Sequence, residues 1–385
     1  MDITLFDPAE TRRSLLPFTF TRPIADIRIG ILKISEKWEH HGFNIGFATE
    51  DYLSAKFKSN NAGIRVNGGL CPDSSLVGAI KSLKEGQKLI SGEQELASNG
   101  EGKEEITYHE SFRLISNPCD IFQFNKEQII SDYALITDGR TSAMITDPHT
   151  VVYGVENIFI EEGASIRAAI LNAEDGPIYI GKNAQIHEGA IIKGAFALCE
   201  GSHVNMGAKI KGDSTIGPYS KVGGEISNSV IFGYSNKGHD GFLGNSVIGE
   251  WCNLGADTNT SNLKNNYTAV KLWNYNTGRF ANTGLQFCGL MMGDHAKCGI
   301  NTMFNTGTVV GVGANVFGSG YPRNFVPSFA WGGASGLTTF QLSKFYEVAE
   351  AVMKRRGVEL DDSEREMLHT IFEDTSAYRV WENKA

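Results

Sequence analysis

Aliphatic side chains recur at every sixth position through the middle of the chain, and this spacing constrains the fold more than any other feature. The recurring residues share one phase and are Ile180, Ile186, Ile192, Leu198, Val204, Ile210, Ile216 and Val222. At 41% hydrophobic content, a run of this length would arise by chance about once in a thousand. A period of six fits neither a strand nor a helix. It is typical of a parallel β-helix, in which each hexad forms one short strand and one corner.

Small residues and interruptions complete the repeat. Two positions before most of the aliphatic residues, small side chains allow the chain to turn a crowded corner: Ala184, Ala190, Ser202, Ala208, Ser214 and Ser220. After Val222 the period breaks, resumes at Ile248, breaks again over 257–290 and returns from Met292 to Val316. Loops that leave a solenoid commonly carry its function. We therefore expect functional residues in the two breaks.

Composition limits the kinds of ligand. The 385 residues suffice for two domains, and the net charge of −9 argues against a nucleic-acid-binding surface. A small phosphorylated ligand needs only a local basic pocket and remains compatible. The six cysteines show no C-x-x-C spacing. Neither a signal peptide nor an apolar run of transmembrane length is evident, so we expect a cytoplasmic protein that does not bind membranes.

The patterning predicts three regions. Residues 1–150 alternate between strand-like and helix-like segments, which indicates an α/β domain with strands at 2–6, 44–48 and 134–137 and helices at 50–58, 77–83 and 125–133. Residues 151–335 form the β-helix. Residues 336–385 are predicted to be helical, with Thr339 capping one helix and Ser363 with Glu366 forming a capping box on the next.

The first break contains the segment GHDGFLG at 238–244, followed by Ile248-Gly249 and by NLGA at 253–256. This pattern resembles the acetyltransferase half of the bifunctional bacterial enzyme that joins glucosamine-1-phosphate acetyltransferase to N-acetylglucosamine-1-phosphate uridyltransferase. The resemblance covers residues 208–318. It implies a left-handed β-helix, a homotrimer, and acetyl-CoA as the cosubstrate.

The same resemblance assigns roles to individual residues. His239 lies where the family has its catalytic base, and a neutral imidazole can take the proton of an attacking amine near pH 7. The resemblance also predicts substrate-binding and acyl-CoA-binding residues; these are Lys211, Glu225 and Asn262 for the sugar phosphate, and Ala256, Gly299 and Gly318 for CoA. The alternative for His239 is an inert, hydrogen-bonded loop histidine among glycines, and the alternative for Lys211, Glu225 and Asn262 is outward-facing polar residues of the coil. His187 and His203 are predicted to be exposed coil positions.

Several positions depart from the family pattern. Phe242 replaces a tyrosine, Ser227 replaces a phosphate-binding lysine, and Ile300 replaces a serine near the acetyl group. The loop at 263–290 is longer than in the family. These changes affect the contacts that would recognise glucosamine-1-phosphate, so a different amine substrate or a damaged activity is compatible with the sequence.

The N-terminal segment 11–23, TRRSLLPFTFTRP, resembles the signature of sugar-1-phosphate nucleotidyltransferases. The resemblance makes Arg12 and Arg22 candidate phosphate contacts and Asp138 a candidate ligand for Mg²⁺, with structural ion pairs as the alternative. The family's glycine-rich loop is replaced by DPAE at 7–10. Glycine there would let backbone N–H groups approach a triphosphate, whereas Asp7 and Glu10 would repel it.

Three functions fit these features. The leading hypothesis is a sugar-nucleotide biosynthesis enzyme that transfers an acyl group from CoA to an amino-sugar phosphate and carries a nucleotidyltransferase-like N-terminal domain. The second is a sugar-1-phosphate nucleotidyltransferase, such as a UDP-N-acetylglucosamine diphosphorylase or a glucose-1-phosphate thymidylyltransferase, with a structural β-helix. The third is a non-catalytic trimer that binds a sugar phosphate. Ligands of a true site would raise the melting temperature.

Overall fold

The computed structural model describes residues 1–60 and 62–382. Its internal contacts divide the chain into two compact units, the first formed by Met1–Arg28 and Leu32–Pro118 and the second by Ile29–Ile31 and Cys119–Ala385. Each unit contains its own buried core. The sequence-based domain limits at 150 and 335 remain predictions.

A mixed sheet forms the centre of the first unit, as the α/β prediction requires. The strand Asp2–Phe6 pairs in parallel with Asn44–Ala48 on one side and with Ile64–Asn67 on the other. Ile3 and Leu5 are fully buried and Thr4 between them is 4% exposed, as expected for the central strand of a sheet covered on both faces. The sheet continues from Ile64–Asn67 through three strands, in the order Gln94–Asn99, Gln87–Ser91 and Glu104–Thr107. A separate antiparallel pair is Leu70–Cys71 with Arg113–Leu114.

The helices of the N-terminal region differ in part from the predictions. Residues 50–58 contain only the 3-10 turn Asp51–Leu53, and 134–137 is not a strand because the helix Asn125–Thr137 continues through it. The polar stretch at 91–105 includes residues of the strands Gln87–Ser91, Gln94–Asn99 and Glu104–Thr107. The remaining helices here are Ala9–Ser14, Ile34–His40, Ser74–Lys81 and Pro118–Gln123, with 3-10 turns at Phe18–Phe20 and Ile24–Asp26.

The second unit is a parallel β-solenoid, which confirms the predicted β-helix. Its hexad residues point into a continuous core; all eight members of the long run are at most 2% exposed. Strands of successive coils pair in register, so that Ile186 lies beside Val204 and Val204 beside Val222. Each aliphatic side chain therefore packs on the equivalent side chain of the next coil, and the repeat builds one long core.

Three faces surround this core. The first face has the strands Ile158–Ile160, Ile178–Ile180, Phe196–Leu198, Ser214–Ile216, Val230–Gly233, Val247–Glu250, Met291–Met292, Val309–Val310 and Phe325–Val326. The second has Ser165–Ile166, Gln185–Ile186, His203–Val204, Lys221–Val222, Asn236–Lys237, Asn253–Leu254, Lys297–Cys298, Asn315–Val316, Ala330–Gly333 and the antiparallel Gly336–Thr339. The third has Val151–Tyr153, Ile170–Asn172, Ile191–Lys193, Lys209–Ile210, Glu225–Ser227 and Phe242–Gly244. A further parallel pair is Asn259–Thr260 with Met303–Phe304.

Two features leave the regular coils. The long loop at 263–290 carries an antiparallel hairpin of Lys271–Asn274 and Arg279–Asn282. After the last coil come the helices Leu342–Lys354 and Asp362–Asp374 and a 3-10 turn, Ser376–Tyr378. No helix within the described ranges combines the length and apolar character needed to cross a bilayer.

The predicted caps of the C-terminal helices are wrong in detail. The first helix is preceded by Gln341, because residues 336–339 are held in a β-hairpin and Thr339 is part of that strand. In the second helix the cap is Asp361, whose side chain accepts a hydrogen bond from the Glu364 N–H at 2.8 Å. Ser363 instead donates to Asp361. An aspartate two residues earlier thus takes the role assigned to Ser363.

Candidate active site

His239 lies on a short loop between the second and third faces of the solenoid. The loop joins the strand Asn236–Lys237 to Phe242–Gly244. Three consecutive carbonyl groups of the loop are fixed by side chains: the Gly238 oxygen accepts from Asn205 Nδ2 at 2.7 Å, and Lys237 Nζ donates to the oxygens of His239 at 2.6 Å and Asp240 at 3.1 Å. The backbone is therefore held while the imidazole stays exposed.

Lys237 is a charged residue in the solenoid interior. Its neighbour in register in the preceding coil is Val222, and only 2% of its surface is exposed. Burial lowers the pKa of its ammonium group to about 8. The sequence reasoning missed this residue because the hexad phase is lost after Val222, so no pattern marked position 237 as inward-facing.

Close backbone contact also shapes this loop. Gly224, in the coil beneath, has a φ of +70°, and a Cβ there would lie 2.6 Å from the Gly241 oxygen and 2.9 Å from the His239 oxygen. Any larger residue would push the loop away. Gly224 thus allows the His239 loop to lie directly on the preceding coil.

The imidazole of His239 faces a cavity of about 450 Å³. The other side chains that line it are His187, Asn205, Met206 and Asp240. The imidazole makes no hydrogen bond to the residues at 1–60 and 62–382. Nothing in the described protomer therefore prevents it from accepting a proton from a bound molecule.

His187 and His203 are half-buried instead of fully exposed, which corrects the sequence interpretation. Their rings lie 5.8 Å apart. Burial, and then the charge of Lys221, lower the pKa of His203. His187 lines the His239 cavity, whereas His203 pairs in register with Gln185 and Lys221. The coil spacing of 18 residues between positions 185, 203 and 221 is the sequence signal for this row.

The predicted sugar-phosphate residues lie on the third face and form a second group. Lys211 Nζ is 2.7 Å from Glu225 Oε1. Glu225 pairs in register with Phe242, three residues after His239. Asn262 Nδ2 donates to Asn245 Oδ1 at 2.8 Å. In the described structure none of Lys211, Glu225 and Asn262 lines the His239 cavity, so one protomer does not bring the whole predicted set together.

The three predicted CoA contacts follow successive strands of the second face. Leu254 pairs with Cys298, and Cys298 with Val316, so Ala256, Gly299 and Gly318 lie along one edge. The coil already uses some of their backbone groups: the Ala256 oxygen accepts from Asn301 N, and Gly299 N donates to the Val316 oxygen, both at 2.8 Å. A Cβ on Gly318 would meet nothing within 4 Å. The edge is open there.

In the first unit, Arg12 is 6% exposed and surrounded by protein partners. Its guanidinium lies 2.9 Å from Asp7 Oδ2 and donates to the Arg22 carbonyl at 3.1 Å and to Tyr52 Oη at 3.0 Å. Burial raises the pKa of Asp7, against the opposing charge of Arg12. This arrangement supports the structural alternative for Arg12. Arg22 is also buried, at 3% exposure.

Asp138 follows the helix Asn125–Thr137 and is exposed. It belongs to the second unit, whereas Arg12 and Arg22 belong to the first. No group of three or more His, Cys, Asp or Glu side chains among the described residues could hold a metal ion. Asp138 as a ligand for Mg²⁺ therefore stays a prediction.

Comparison with known protein families finds a match in the N-terminal region. Residues 3–141 match the family described as "Sugar nucleotidyl transferase". The match includes the segment 11–23 on which the sequence resemblance depends. It also extends beyond Pro118 into residues that pack with the second unit.

Curated relatives combine two activities in their names. The chain is 29% identical over 153 residues to the "Bifunctional sugar-1-phosphate nucleotidylyltransferase/acetyltransferase" of Sulfurisphaera tokodaii, which covers 38% of each chain. It is 26% identical over 210 residues to "Bifunctional protein GlmU" of Bartonella quintana, which covers 50% of this chain and 39% of that protein. The chain thus spans about two fifths of the length of these relatives.

A solved structure, the UDP-N-acetylglucosamine acyltransferase from Campylobacter jejuni, matches 59% of this chain and 95% of its own at 14% identity and a TM-score of 0.25. That likeness carries no weight for function. The family match and the observed solenoid agree with the resemblance stated from the sequence. The chain joins a region that matches the sugar nucleotidyl transferase family to a parallel β-solenoid of hexapeptide repeats.

Proposed function

We propose that this protein is a transferase of sugar-nucleotide biosynthesis whose solenoid transfers an acyl group from acyl-CoA to the amine of an amino-sugar phosphate. The exposed imidazole of His239, on a loop whose carbonyl groups are fixed from within, is the observation that carries the proposal. The match of residues 3–141 to sugar nucleotidyl transferases and the relatives named for both activities support the pathway.

The reaction requires one proton transfer. The amine nitrogen attacks the thioester carbonyl carbon, a C–N bond forms, the C–S bond breaks, and the amine proton passes through His239 to the departing thiolate of CoA. His239 acts as the general base because its imidazole faces the cavity and has no competing hydrogen bond to the described residues. The fixed carbonyl groups hold the backbone of the loop and leave the ring nitrogens without a hydrogen bond to the described residues.

The other predicted residues have supporting roles in this proposal. Lys211, paired with Glu225, supplies a positive charge for the sugar phosphate. Ala256, Gly299 and Gly318 form the edge along which the pantetheine arm of CoA lies. Because Lys211, Glu225 and Asn262 lie outside the cavity of His239 in the described protomer, we propose a homotrimer in which a neighbouring chain completes the site.

The test is acyl transfer by the His239→Asn variant, measured as thiol release from acetyl-CoA with glucosamine-1-phosphate and other hexosamine phosphates. We expect kcat to fall by about 10² to 10⁴, the usual contribution of a general base. His369→Asn, which changes an exposed histidine on the last long helix, is the matched control and should keep full activity. If thiol release by His239→Asn equals that of the wild type, the proposal is wrong.

A second candidate function is nucleotidyl transfer by the N-terminal region, favoured by the family match at 3–141. Asp7 occupies the segment where the family has glycine. Its carboxylate accepts hydrogen bonds from Arg12, Thr49 and the Ile24 N–H. We therefore expect no pyrophosphate release from UTP or dTTP with a sugar-1-phosphate. Release that His239→Asn leaves intact would instead establish the nucleotidyltransferase, with the solenoid as a scaffold.

A further inference from the structure

A second and larger cavity, of about 1230 Å³, lies in the second unit. Four segments surround it: the hairpin at 271–282, the strand Phe325–Val326, the turn at 333–337 and the C-terminal segment 377–381. It shares no lining residue with the cavity of His239. The hairpin belongs to the long loop at 263–290, which the sequence marks as a departure from the family it resembles.

The charge of this cavity is opposite to that of the protein. The chain carries a net charge of −9, yet the charged side chains that line the cavity in the described structure are Lys264, Lys271 and Arg323, with no Asp or Glu. Lys264 Nζ donates to the Ala269 oxygen at 2.8 Å. The ammonium group of Lys271 and the guanidinium group of Arg323 have no hydrogen-bond or ion-pair partner within residues 1–60 and 62–382. Two unpaired cations in a concave site favour an anionic ligand.

Aromatic rings form the rest of the wall. In the hairpin, Lys271 and Trp273 lie on the same face, and Trp273 is opposite Phe280 in register. Trp273 stacks on Phe325 with 4.2 Å between ring centroids and 8° between the planes. This contact fixes Trp273, while Phe280 is 44% exposed and offers a free surface. Trp381 is held by a 2.9 Å hydrogen bond from its Nε1 to Thr339 Oγ1.

Size and chemistry together define the class of ligand. Small-molecule sites usually measure about 300–1,000 Å³, so this cavity is far larger than a phosphate ion requires. We propose that it binds a phosphorylated nucleoside, with the phosphates on Lys271 and Arg323 and the base against Phe280 and Trp381. Stacking on aromatic rings tolerates any base, because every base has a π-face. Two sources supply this chemistry: a uridine diphosphate group, or the adenosine 3′,5′-bisphosphate end of CoA.

Isothermal titration calorimetry of the full chain with UDP, adenosine 3′,5′-bisphosphate, CoA and inorganic phosphate tests the proposal. We expect at least one nucleotide to bind with Kd below about 1 mM. Binding of UDP alone identifies the uridine source, and binding of the bisphosphate and CoA alone identifies the adenosine source. Either of these results supports a site for a phosphorylated nucleoside, and so does binding of all three nucleotides. Binding of none of them, or binding of inorganic phosphate as tight as that of the nucleotides, overturns it.

Variants locate the site. Lys271→Gln with Arg323→Gln should weaken nucleotide binding at least ten-fold, since each charge-assisted contact is worth more than a neutral one. The matched control, Arg167→Gln with Lys182→Gln, removes two exposed cations that line neither cavity and should bind like the wild type. Phe280→Ala tests the base contact separately in case the double variant unfolds. Equal binding by the wild type, the double variant and Phe280→Ala would refute the site.

The adenosine source of this inference rests on the proposed acyl transfer, because CoA is the cosubstrate of that reaction, whereas the uridine source does not. CoA binding that Lys271→Gln with Arg323→Gln leaves unchanged overturns the site in the larger cavity but leaves the role of His239 unchanged, whereas absence of CoA binding by the wild type contradicts the proposed acyl transfer. Loss of acyl transfer in His239→Asn, conversely, carries no information about the larger cavity. The two experiments can therefore fail separately.

Discussion

At the scale of single residues, the buried ammonium of Lys237 is the most informative group. It fixes two carbonyl groups of the loop that presents His239. Burial lowers its pKa to about 8, whereas an unfolded lysine has a pKa of about 10.4. As the pH rises, the folded state therefore loses this proton at a lower pH than the unfolded state does. At neutral pH, burial of the protonated side chain carries a cost in the free energy of folding. That cost disappears as the pH rises from about 8 to about 10.4.

Lys237→Met keeps most of the length of the side chain and removes the charge. We expect the free energy of unfolding of the wild type to rise, relative to the variant, by on the order of 2 kcal/mol between pH 7.5 and 10, since about two pKa units separate the folded and unfolded lysine. Urea unfolding at several pH values measures it. The control is Lys221→Met, which changes a partly exposed lysine of the preceding coil. A pH-independent difference for Lys237→Met would contradict the expected effect.

The variant also reports on the loop. Without the ammonium group the carbonyls of His239 and Asp240 lose their fixed donor, and we expect kcat for acyl transfer to fall by about ten-fold with a smaller change in KM. One lost charged hydrogen bond is worth about 1.5–3 kcal/mol, which is enough for this effect. An unchanged kcat would show that the loop holds its geometry without Lys237.

At the scale of elements, the helix Leu342–Lys354 packs on the solenoid through one aromatic side chain. Phe345 is 1% exposed, and its ring lies 5.1 Å from Phe329, 5.7 Å from His295 and 5.9 Å from Phe340. These rings belong to the last coils and to the hairpin that ends them. The helix therefore covers coil surface that would otherwise meet water.

Phe345→Ala should lower the free energy of unfolding by about 3–5 kcal/mol, the usual cost of deleting a buried phenyl ring. It should also make the C-terminal helices sensitive to limited proteolysis before the solenoid unfolds. Val348→Ala, on the same helix at 36% exposure, should change stability by less than about 0.5 kcal/mol. Equal effects from the two substitutions would mean that the helix is not attached through Phe345.

At the scale of the whole molecule, the third face presents apolar side chains to the outside. Val151, Ile170 and Ile191 pair in register across three coils and are 45%, 37% and 49% exposed. Such a row is costly in water and suits contact with another chain. A charged substitution in this apolar row should therefore disrupt the proposed homotrimer.

Sedimentation velocity of the wild type should give about three times the chain mass of 42.0 kDa. Ile191→Glu should shift the protein towards monomer, because a buried unpaired carboxylate is strongly unfavourable at an interface. Gln185→Glu, an outward-facing change on the second face, should leave the trimer intact. A wild type that sediments as a monomer would refute the trimer.

Sequence patterning predicted the repeat well and the irregular elements poorly. The hexad residues are buried as expected because each one repeats the same environment, so many positions report one structural rule. Single helix ends lack this redundancy. Thr339 is an ordinary capping residue by type, but pairing of 336–339 with 330–333 places it in a strand. The helix at 125–137 likewise runs through a segment whose apolar residues also suit a strand.

The sequence alone determined the solenoid, its breaks and the loop that carries His239, since a fixed period and local motifs are properties of neighbouring residues. Only the tertiary structure decided that Lys237 points inward, that His187 and His239 line one cavity, and that Lys271 and Arg323 share a cavity with the C-terminal segment. Those contacts join residues many coils or loops apart. Their formation depends on how coils stack, which no local pattern encodes.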